Sequence, residues 1–156
     1  MSIFTPSCLL AVGVLCLSSL GHGSEKEPLK ESDLSGKWAL KCDESGWISI
    51  ASKEDITMEV NANQIYIHAA GKISKKKLVI KLIEPTDLGF GGMSLDWDSF
   101  SRAIPIAEMQ MISDKSAKIK WFGFYNKISN SREWINEPDF VDQENNVLKK
   151  CSVDHV

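Results

Sequence analysis

The chain has 156 residues, 25% of them charged, and a formal net charge of −3. This length is sufficient for one domain with a substantial core. The mild acidity argues against nucleic-acid binding, which favours a basic stripe interleaved with aromatic residues, and the lysines at 75–77 are typical of a solvated turn between strands.

The first 23 residues differ from the rest of the chain in charge. They contain no charged side chain, whereas residues 24–33 contain six. Residues 8–20 form an apolar run of the length found in signal peptides, and Gly21 and Gly23 are the small residues expected before a cleavage site. We therefore predict a signal peptide at 1–23 and a periplasmic or secreted mature chain.

An uncleaved membrane anchor is the alternative interpretation of this segment, because no lysine or arginine precedes its apolar run. A spanning helix needs about 20 apolar residues, and Thr5, Pro6, Ser18 and Ser19 interrupt this one. The pattern favours cleavage, after which no stable membrane insertion is expected.

Two cysteines, Cys42 and Cys151, remain once the predicted signal peptide is removed. In an oxidising compartment they would form a disulfide near the two ends of the mature chain. Chain-entropy arguments give about 4 to 5 kcal/mol for closing a loop of this size. A two-thiolate metal site and a pair of free thiols are the alternatives, but zinc needs about four ligands and the mature histidines are His68 and His155.

The mature chain begins with a polar leader and continues as a series of short strands. Residues 24–33 are charged and interrupted by Pro28, which predicts a flexible leader, and a single β domain is predicted at 34–156. From residue 34 the dominant hydrophobic period is two. The predicted strands occupy residues 38–42, 47–51, 56–60, 64–69, 78–84, 106–112, 117–126, 132–135 and 146–151. We predict an all-β fold, a small antiparallel β-barrel or sandwich of about eight strands, with the disulfide linking the first and last strands.

An aromatic cluster lies in the predicted strand at 117–126. Alternation places Trp121 and Tyr125 on one face and Phe122 and Phe124 on the other. Aromatic residues on both faces predict a central strand that is covered on both sides. Gly123 would allow another segment to approach the backbone closely.

The triplet Gly36, Lys37 and Trp38 opens the first predicted strand. It resembles the Gly-x-Trp start of lipocalin-like β-barrels, and this resemblance implies a barrel in which Trp38 fills the closed end. In size, export and its single disulfide, the chain is also similar to small bacterial envelope proteins that inhibit lysozymes or neutralise secreted toxins.

The stretch at 87–100 reads DLGFGGMSLDWDSF and lies in a long break between predicted strands. Its three glycines lack the spacing, the lysine and the following helix of a phosphate-binding loop. Asp96 and Asp98 begin a D-x-D pattern, but the glycine and the final glutamate of a calcium loop are missing. We therefore predict no cofactor and no metal site here.

The same stretch is rich in apolar side chains. Tryptophan and methionine beside acids are typical of protein interfaces, and long loops in compact domains are commonly functional or packed as lids. For Trp97 and Phe100, packing as a cap beneath the barrel is the slightly favoured interpretation. The candidate binding residues, as a partner contact or as a lid, are Met93, Leu95, Asp96, Trp97 and Asp98.

The sequence contains no recognised catalytic motif. No G-x-S-x-G element indicates a serine hydrolase, and His68 lies beside Tyr66 on the polar face of a predicted strand, as solvent-facing histidines do. Acids near the long loop, among them Glu84, Asp87 and Glu108, could form a pair for carboxylate catalysis, although acids in loops are usually solvated. The favoured prediction is a protein without enzymatic activity.

These features predict an exported, non-enzymatic binding protein that engages a protein partner through 87–100, as an inhibitor or a toxin-neutralising immunity protein does. The acids would steer the loop towards a basic surface. A barrel that holds a small apolar ligand, with the same loop as its lid, is the first alternative. An unrecognised enzyme is the second.

Overall fold

The computed structural model describes residues 28–135, 138–141 and 146–152. The predicted signal peptide at 1–23, residues 24–27 of the predicted leader, and His155 lie outside the described residues. The strands are β1 (Gly36–Ala39), β2 (Trp47–Ile50), β3 (Ile56–Asn61), β4 (Ile65–Ser74), β5 (Lys77–Leu88), β6 (Ala107–Ser113), β7 (Ser116–Trp121), β8 (Phe124–Asn126), β9 (Ser131–Glu133) and β10 (Val147–Lys150). Two short helices, α1 (Glu31–Leu34) and α2 (Phe90–Met93), and a 3-10 turn at Trp97–Ser99 complete the described elements.

Eight of the strands close into an antiparallel barrel in the order β1-β10-β7-β6-β5-β4-β3-β2, and β8 and β9 form a separate hairpin. Apart from the pair that closes the barrel, adjacent barrel strands follow one another along the chain, with this hairpin inserted between β7 and β10. The closing pair is β1 with β10, in which Trp38 lies opposite Lys150. The predicted small antiparallel β-barrel is therefore confirmed.

Alternation of apolar and polar side chains explains why these segments form barrel strands. In β4, Ile65 and Ile67 are buried, whereas Tyr66 and His68 between them are partly exposed. This period of two points one set of side chains into the barrel and the other set outward. Inward-facing side chains of this kind fill the barrel from β1 round to β10.

The barrel has two closed ends. At the α1 end, where α1 and the β4–β5 turn lie, Leu34 and Trp38 are fully buried and Trp38 Nε1 donates a 2.7 Å hydrogen bond to the Leu34 carbonyl. At the loop end, where residues 89–106 connect β5 to β6, the buried rings are Phe100, Phe124 and Phe140. Side chains from short connecting segments therefore cover the core at both ends.

The disulfide joins Cys42 and Cys151, whose Cα atoms are 5.5 Å apart. Cys42 follows β1 and Cys151 directly follows β10, so the bond links the first and last strands of the barrel as predicted. A metal site with two thiolates and a pair of free thiols are thereby excluded. In the described part of the chain, no helix has the length and apolar character needed to cross a membrane.

Strand boundaries differ from the prediction most in three places. β4 continues beyond residue 69 to Ser74. β5 extends through Pro85 to Leu88, because irregularities in its register with β4 lie on both sides of the proline and a proline is tolerated at such bulges.

The predicted strand at 117–126 is broken after Trp121, since Gly123 takes φ +82°. This left-handed residue shifts the alternation, so that Trp121 and Phe124 are both buried. The predicted separation of these two rings onto opposite faces was wrong.

Candidate functional site

The connection at 89–106 is held against the barrel by the turn between β3 and β4. The Gly89 N–H donates to the Gln64 carbonyl at 2.9 Å, and the Gly91 N–H donates to the Gln64 side-chain carbonyl oxygen. A Cβ on Gly89 would overlap the Asn63 carbonyl, and one on Gly92 would overlap the Gln64 carbonyl. The glycines of the GFGGM run therefore serve close backbone approach.

The second half of the connection is fixed by the β8–β9 hairpin. The Lys127 N–H donates to the Ser99 carbonyl at 2.9 Å, and the Ser101 N–H donates to the Tyr125 carbonyl at 2.8 Å. Phe100 forms a β-bridge with Asn126. The connection is therefore anchored at both of its ends, in contrast to a loop that moves freely.

Trp97 lies inside this anchored segment and is partly buried against the core. Its ring makes edge contacts with Phe100 and Phe124, with centroid distances of 5.5 and 5.2 Å. Its Nε1 donates a 2.8 Å hydrogen bond to the Gly92 carbonyl. The indole therefore links α2 to the aromatic residues that close the loop end.

The five predicted site residues fall into two groups in the structure. Met93, Asp96 and Asp98 are exposed, whereas Leu95 and Trp97 are partly buried and contact the core. Neither aspartate forms an ion pair with any described residue. Two free carboxylates and one free thioether side chain therefore face outward from a fixed backbone.

Phe90 is the residue at this site that the predicted set missed. Its side chain is 86% exposed, and Met93, three positions later in the same helical turn, is 65% exposed. Side chains three apart on a helix share a face. We call Phe90 and Met93 together the α2 face. The signal was present in the sequence as two large apolar residues beside glycines, but two adjacent glycines disfavour a helix, so the turn was not predicted.

Trp134 lies beside α2, and it and Ile135 were also missed. The Trp134 ring is close to Gly91, since a Cβ on that glycine would be 3.8 Å from Trp134 Cη2. Trp134 takes φ +55°, which is rare for a bulky residue, and its carbonyl accepts a 2.6 Å hydrogen bond from Trp121 Nε1. Ile135 is 48% exposed. A large aromatic side chain therefore packs beside α2, and an exposed isoleucine follows it in the chain.

The other groups considered for chemistry have structural partners. His68 Nε2 lies 3.5 Å from an Asp55 carboxylate oxygen on the barrel wall. Tyr66 Oη donates a 2.7 Å hydrogen bond to Glu59, which together with burial raises the pKa of Tyr66. The described residues contain no cluster of three or more His, Cys, Asp or Glu side chains that could hold a metal ion.

The predicted carboxylates near the loop are spread along the barrel wall. Asp87 lies opposite Tyr66 and Glu84 lies opposite His68 in the register between β4 and β5. Glu108 on β6 forms an ion pair with Lys77, with 2.9 Å between Lys77 Nζ and Glu108 Oε2. Glu84 and Asp87 therefore lie on β5 and Glu108 lies on β6, whereas Asp96 and Asp98 belong to the connection between these two strands.

Compared with protein-family models, curated proteins and solved structures, the chain matches none of them. A functional conclusion therefore depends on the side chains described above.

Proposed function

We propose that this protein is an exported, non-enzymatic binding protein that engages a protein partner through residues 87–100, and that by type it is an inhibitor or an immunity protein. One observation supports this most directly: the α2 face exposes Phe90 and Met93 on a backbone that is anchored on both sides. The exposed acids Asp96 and Asp98 follow within the same connection.

Exposed aromatic and methionine side chains favour a protein interface. Interface cores are enriched in both residue types, and a few such side chains commonly supply most of the binding free energy. The backbone of the connection is already held by hydrogen bonds to Gln64 at one end and to the β8–β9 hairpin at the other. Little backbone conformational entropy would therefore be lost on association.

The two aspartates give the surface its charge preference. Free carboxylates beside an apolar contact attract a basic partner and raise its association rate at low salt. Lysozyme-like enzymes have basic surfaces of this kind. The partner class that best fits the site is therefore a basic secreted or periplasmic enzyme or toxin.

Leu95 and Trp97 pack between this surface and the core. Both are partly buried against the core, and Trp97 ties α2 to the buried aromatic residues through Gly92 and Phe100. In this proposal Trp97 positions the contact residues, and its exposed edge completes the interface.

Export agrees with the disulfide between Cys42 and Cys151, since structural disulfides persist mainly in oxidising compartments. The described side chains fill the barrel interior, which favours a surface contact over an apolar ligand held inside the barrel under the same loop.

Site-specific photo-crosslinking tests this proposal. The full-length chain is expressed in a host that exports it, with p-benzoylphenylalanine replacing Phe90 or Met93 in separate preparations. Ile83, which is 37% exposed on the barrel wall, is the matched control position. We expect the same partner to be crosslinked from positions 90 and 93 in envelope or culture fluid, and not from 83.

Affinity measurement with the identified partner completes the test. Phe90→Ser with Met93→Ser should weaken binding roughly ten- to a hundredfold, as loss of central apolar contacts does, while Ile83→Ser leaves it unchanged. Asp98→Asn should slow association and flatten its salt dependence, in contrast to Asp114→Asn at the opposite end. Equal crosslinking from all three positions, or full affinity after the double substitution, would show the proposal to be wrong.

A further inference from the structure

We propose that a groove at the α1 end binds a single-chain anionic amphiphile, such as a long-chain carboxylate or an alkyl phosphate. The groove encloses about 640 Å³ between α1, the β4–β5 turn and the β6–β7 turn. Its apolar lining is Leu29, Met111 and Ile112, and its basic lining is Lys76, Lys115 and Lys150. We call these six residues the α1 groove.

The size and shape of the α1 groove suit one ligand molecule. Its volume lies within the roughly 300 to 1,000 Å³ of small-molecule sites in proteins. Leu29 and Met111 are partly buried against the core, whereas Ile112 is 55% exposed at the edge. An apolar chain lying along these three side chains would remove apolar surface from water on both partners.

The basic side chains supply the preference for an anion. Lys76 and Lys115 form no ion pair with any described residue. Lys150 Nζ lies 5.3 Å from the centre of the Trp38 ring and donates a 3.2 Å hydrogen bond to the Asp33 carbonyl, which aims its ammonium group at the groove's inner wall. Three lysines therefore line the same groove as the apolar side chains.

The acids of the groove oppose this charge incompletely. Asp33 and Asp114 are its two carboxylates, and Asp33 Oδ2 already accepts a 3.0 Å hydrogen bond from the Lys30 N–H. A second groove of about 580 Å³ on the outside of β5 and β6 adjoins the first at Lys76 and adds Lys75 to the basic surface. The local charge is therefore positive, and the lysines of both grooves would attract an acidic headgroup to this end of the barrel.

The α1 groove is separate from the barrel interior. Leu34 and Trp38 are fully buried and close the barrel beneath it, so a ligand could bind outside this closure without displacing core side chains. It is also at the opposite end from the α2 face, since the β4–β5 turn and residue 88 lie at the two ends of the same hairpin. Binding here would leave a partner at residues 87–100 undisturbed.

A recessed groove favours a free amphiphile over a lipid bilayer as the source of the anion. A bilayer surface is broad, and docking to it requires apolar side chains that project from the protein. Leu29 and Met111 are instead partly buried within the groove. One chain in one groove is the occupant that this geometry accommodates.

Calorimetric titration tests the inference. The protein is purified after full-length expression and processing by the host, and its N-terminus is determined by mass spectrometry. Laurate and dodecyl phosphate are titrated below their micellar concentrations, with dodecyl maltoside as the neutral probe and vesicles containing anionic phospholipid as the bilayer probe. We expect saturable 1:1 binding of the two anions that weakens as salt is raised, with much weaker binding of dodecyl maltoside.

Matched variants locate the site. Lys76→Glu with Lys115→Glu should weaken anion binding roughly ten- to a hundredfold, as loss of charge-assisted hydrogen bonds does. Lys72→Glu with Lys118→Glu changes the net charge equally on exposed strand positions outside the groove and should leave binding within about twofold. Ile112→Asp should abolish binding of both anions.

Four results would overturn the inference: no saturable binding, equal binding of dodecyl maltoside, equal losses in the two lysine pairs, or binding to anionic vesicles without binding of the free anions. Crosslinking from positions 90 and 93 is measured on the same variants. Because the two surfaces lie at opposite ends, failure of amphiphile binding with intact crosslinking counts against this inference alone.

Discussion

Aromatic side chains close both ends of the barrel, but the surfaces outside the two closures carry charges of opposite sign. At the loop end, Phe100 and Phe124 lie beneath an anchored connection that exposes the α2 face and two free aspartates. At the α1 end, Trp38 lies beneath a groove lined by three lysines. Both ends are therefore closed in a similar way, whereas the charged and apolar groups outside each closure make the two surfaces chemically different.

The largest expected effect comes from removing the aromatic residue at each end. Trp38 is fully buried and its Nε1 is bonded to the Leu34 carbonyl, so Trp38→Ala should lower the free energy of unfolding by about 3 to 5 kcal/mol. Trp97 is partly exposed, so Trp97→Ala should cost about 1 to 2 kcal/mol less. Urea unfolding of both variants measures the difference.

Trp38→Phe and Trp97→Phe serve as controls, because they keep most of the ring area and lose the indole hydrogen bond. A larger loss for Trp97→Ala than for Trp38→Ala would show that the loop end, not the α1 end, holds the more important closure.

The disulfide should give the next largest effect, and it should act on both ends together. The bond closes a loop with a sequence separation of 109. Cys42→Ala with Cys151→Ala should lower the free energy of unfolding by about 2 to 4 kcal/mol, less than the chain-entropy value of about 4 to 5 kcal/mol, because residual structure in the unfolded chain reduces the effect. The two ends share one barrel, and we expect a single cooperative transition in the variant. Hydrogen exchange that increases at only one end would contradict this.

The barrel and the disulfide could be predicted because each has a local signal in the sequence. Alternation in residues such as Ile65 and Ile67 marks the inward face of a strand, and Cys42 and Cys151, the two cysteines outside the predicted signal peptide, allow a single pairing. The extension of β5 through Pro85 was not predictable from propensity, because the bulges that accommodate the proline arise from pairing with β4. The resemblance of residues 36–38 to lipocalin-like barrels stays a prediction.

The candidate site could be predicted only in part. Asp96 and Asp98 stand out in sequence as acids beside a tryptophan, and the structure places both on the surface. Phe90 could not be assigned because α2 forms through tertiary hydrogen bonds to Gln64 across a Gly-Gly pair of low helix propensity. Trp134 could not be assigned because its left-handed backbone follows from packing against Trp121, which no sequence pattern indicates.

Glycine substitutions in the connection should have a smaller effect that is confined to the loop end. A Cβ on Gly89 would overlap the backbone carbonyl of Asn63, so Gly89→Ala should cost about 1 to 3 kcal/mol and displace α2. A Cβ on Gly91 would instead meet the flexible side chain of Gln64, which makes Gly91→Ala the milder control. Urea unfolding gives the cost, and crosslinking from position 93 reports whether α2 has moved. An unchanged crosslink in Gly89→Ala would show that this anchor does not position the α2 face.

The smallest expected effect concerns the outer wall of the barrel near the loop end, where Tyr66 lies opposite Asp87. Tyr66 Oη donates to Glu59, a carboxylate that is 6% exposed, and this hydrogen bond, followed by burial, raises the pKa of Tyr66 above its ordinary value of 10.0. Because the folded pKa is the higher one, the stabilisation is fully present below pH 10 and is lost as the pH rises through the folded pKa. The nearby Asp87 carboxylate raises this pKa further, whereas a hydrogen bond from the backbone of Asn63 lowers it without reversing the shift.

Tyr66→Phe should therefore lower the free energy of unfolding by about 1 kcal/mol at pH 7, since Glu59 keeps the Gly46 N–H as a donor. Above pH 10 the wild-type chain should lose stability more steeply than the variant, until the two curves approach each other. Tyr125→Phe is the control, because the partner of that hydroxyl is the neutral side chain of Asn130. Parallel curves for wild type and Tyr66→Phe from pH 8 to 11 would show that the Tyr66–Glu59 bond does not couple folding to proton binding.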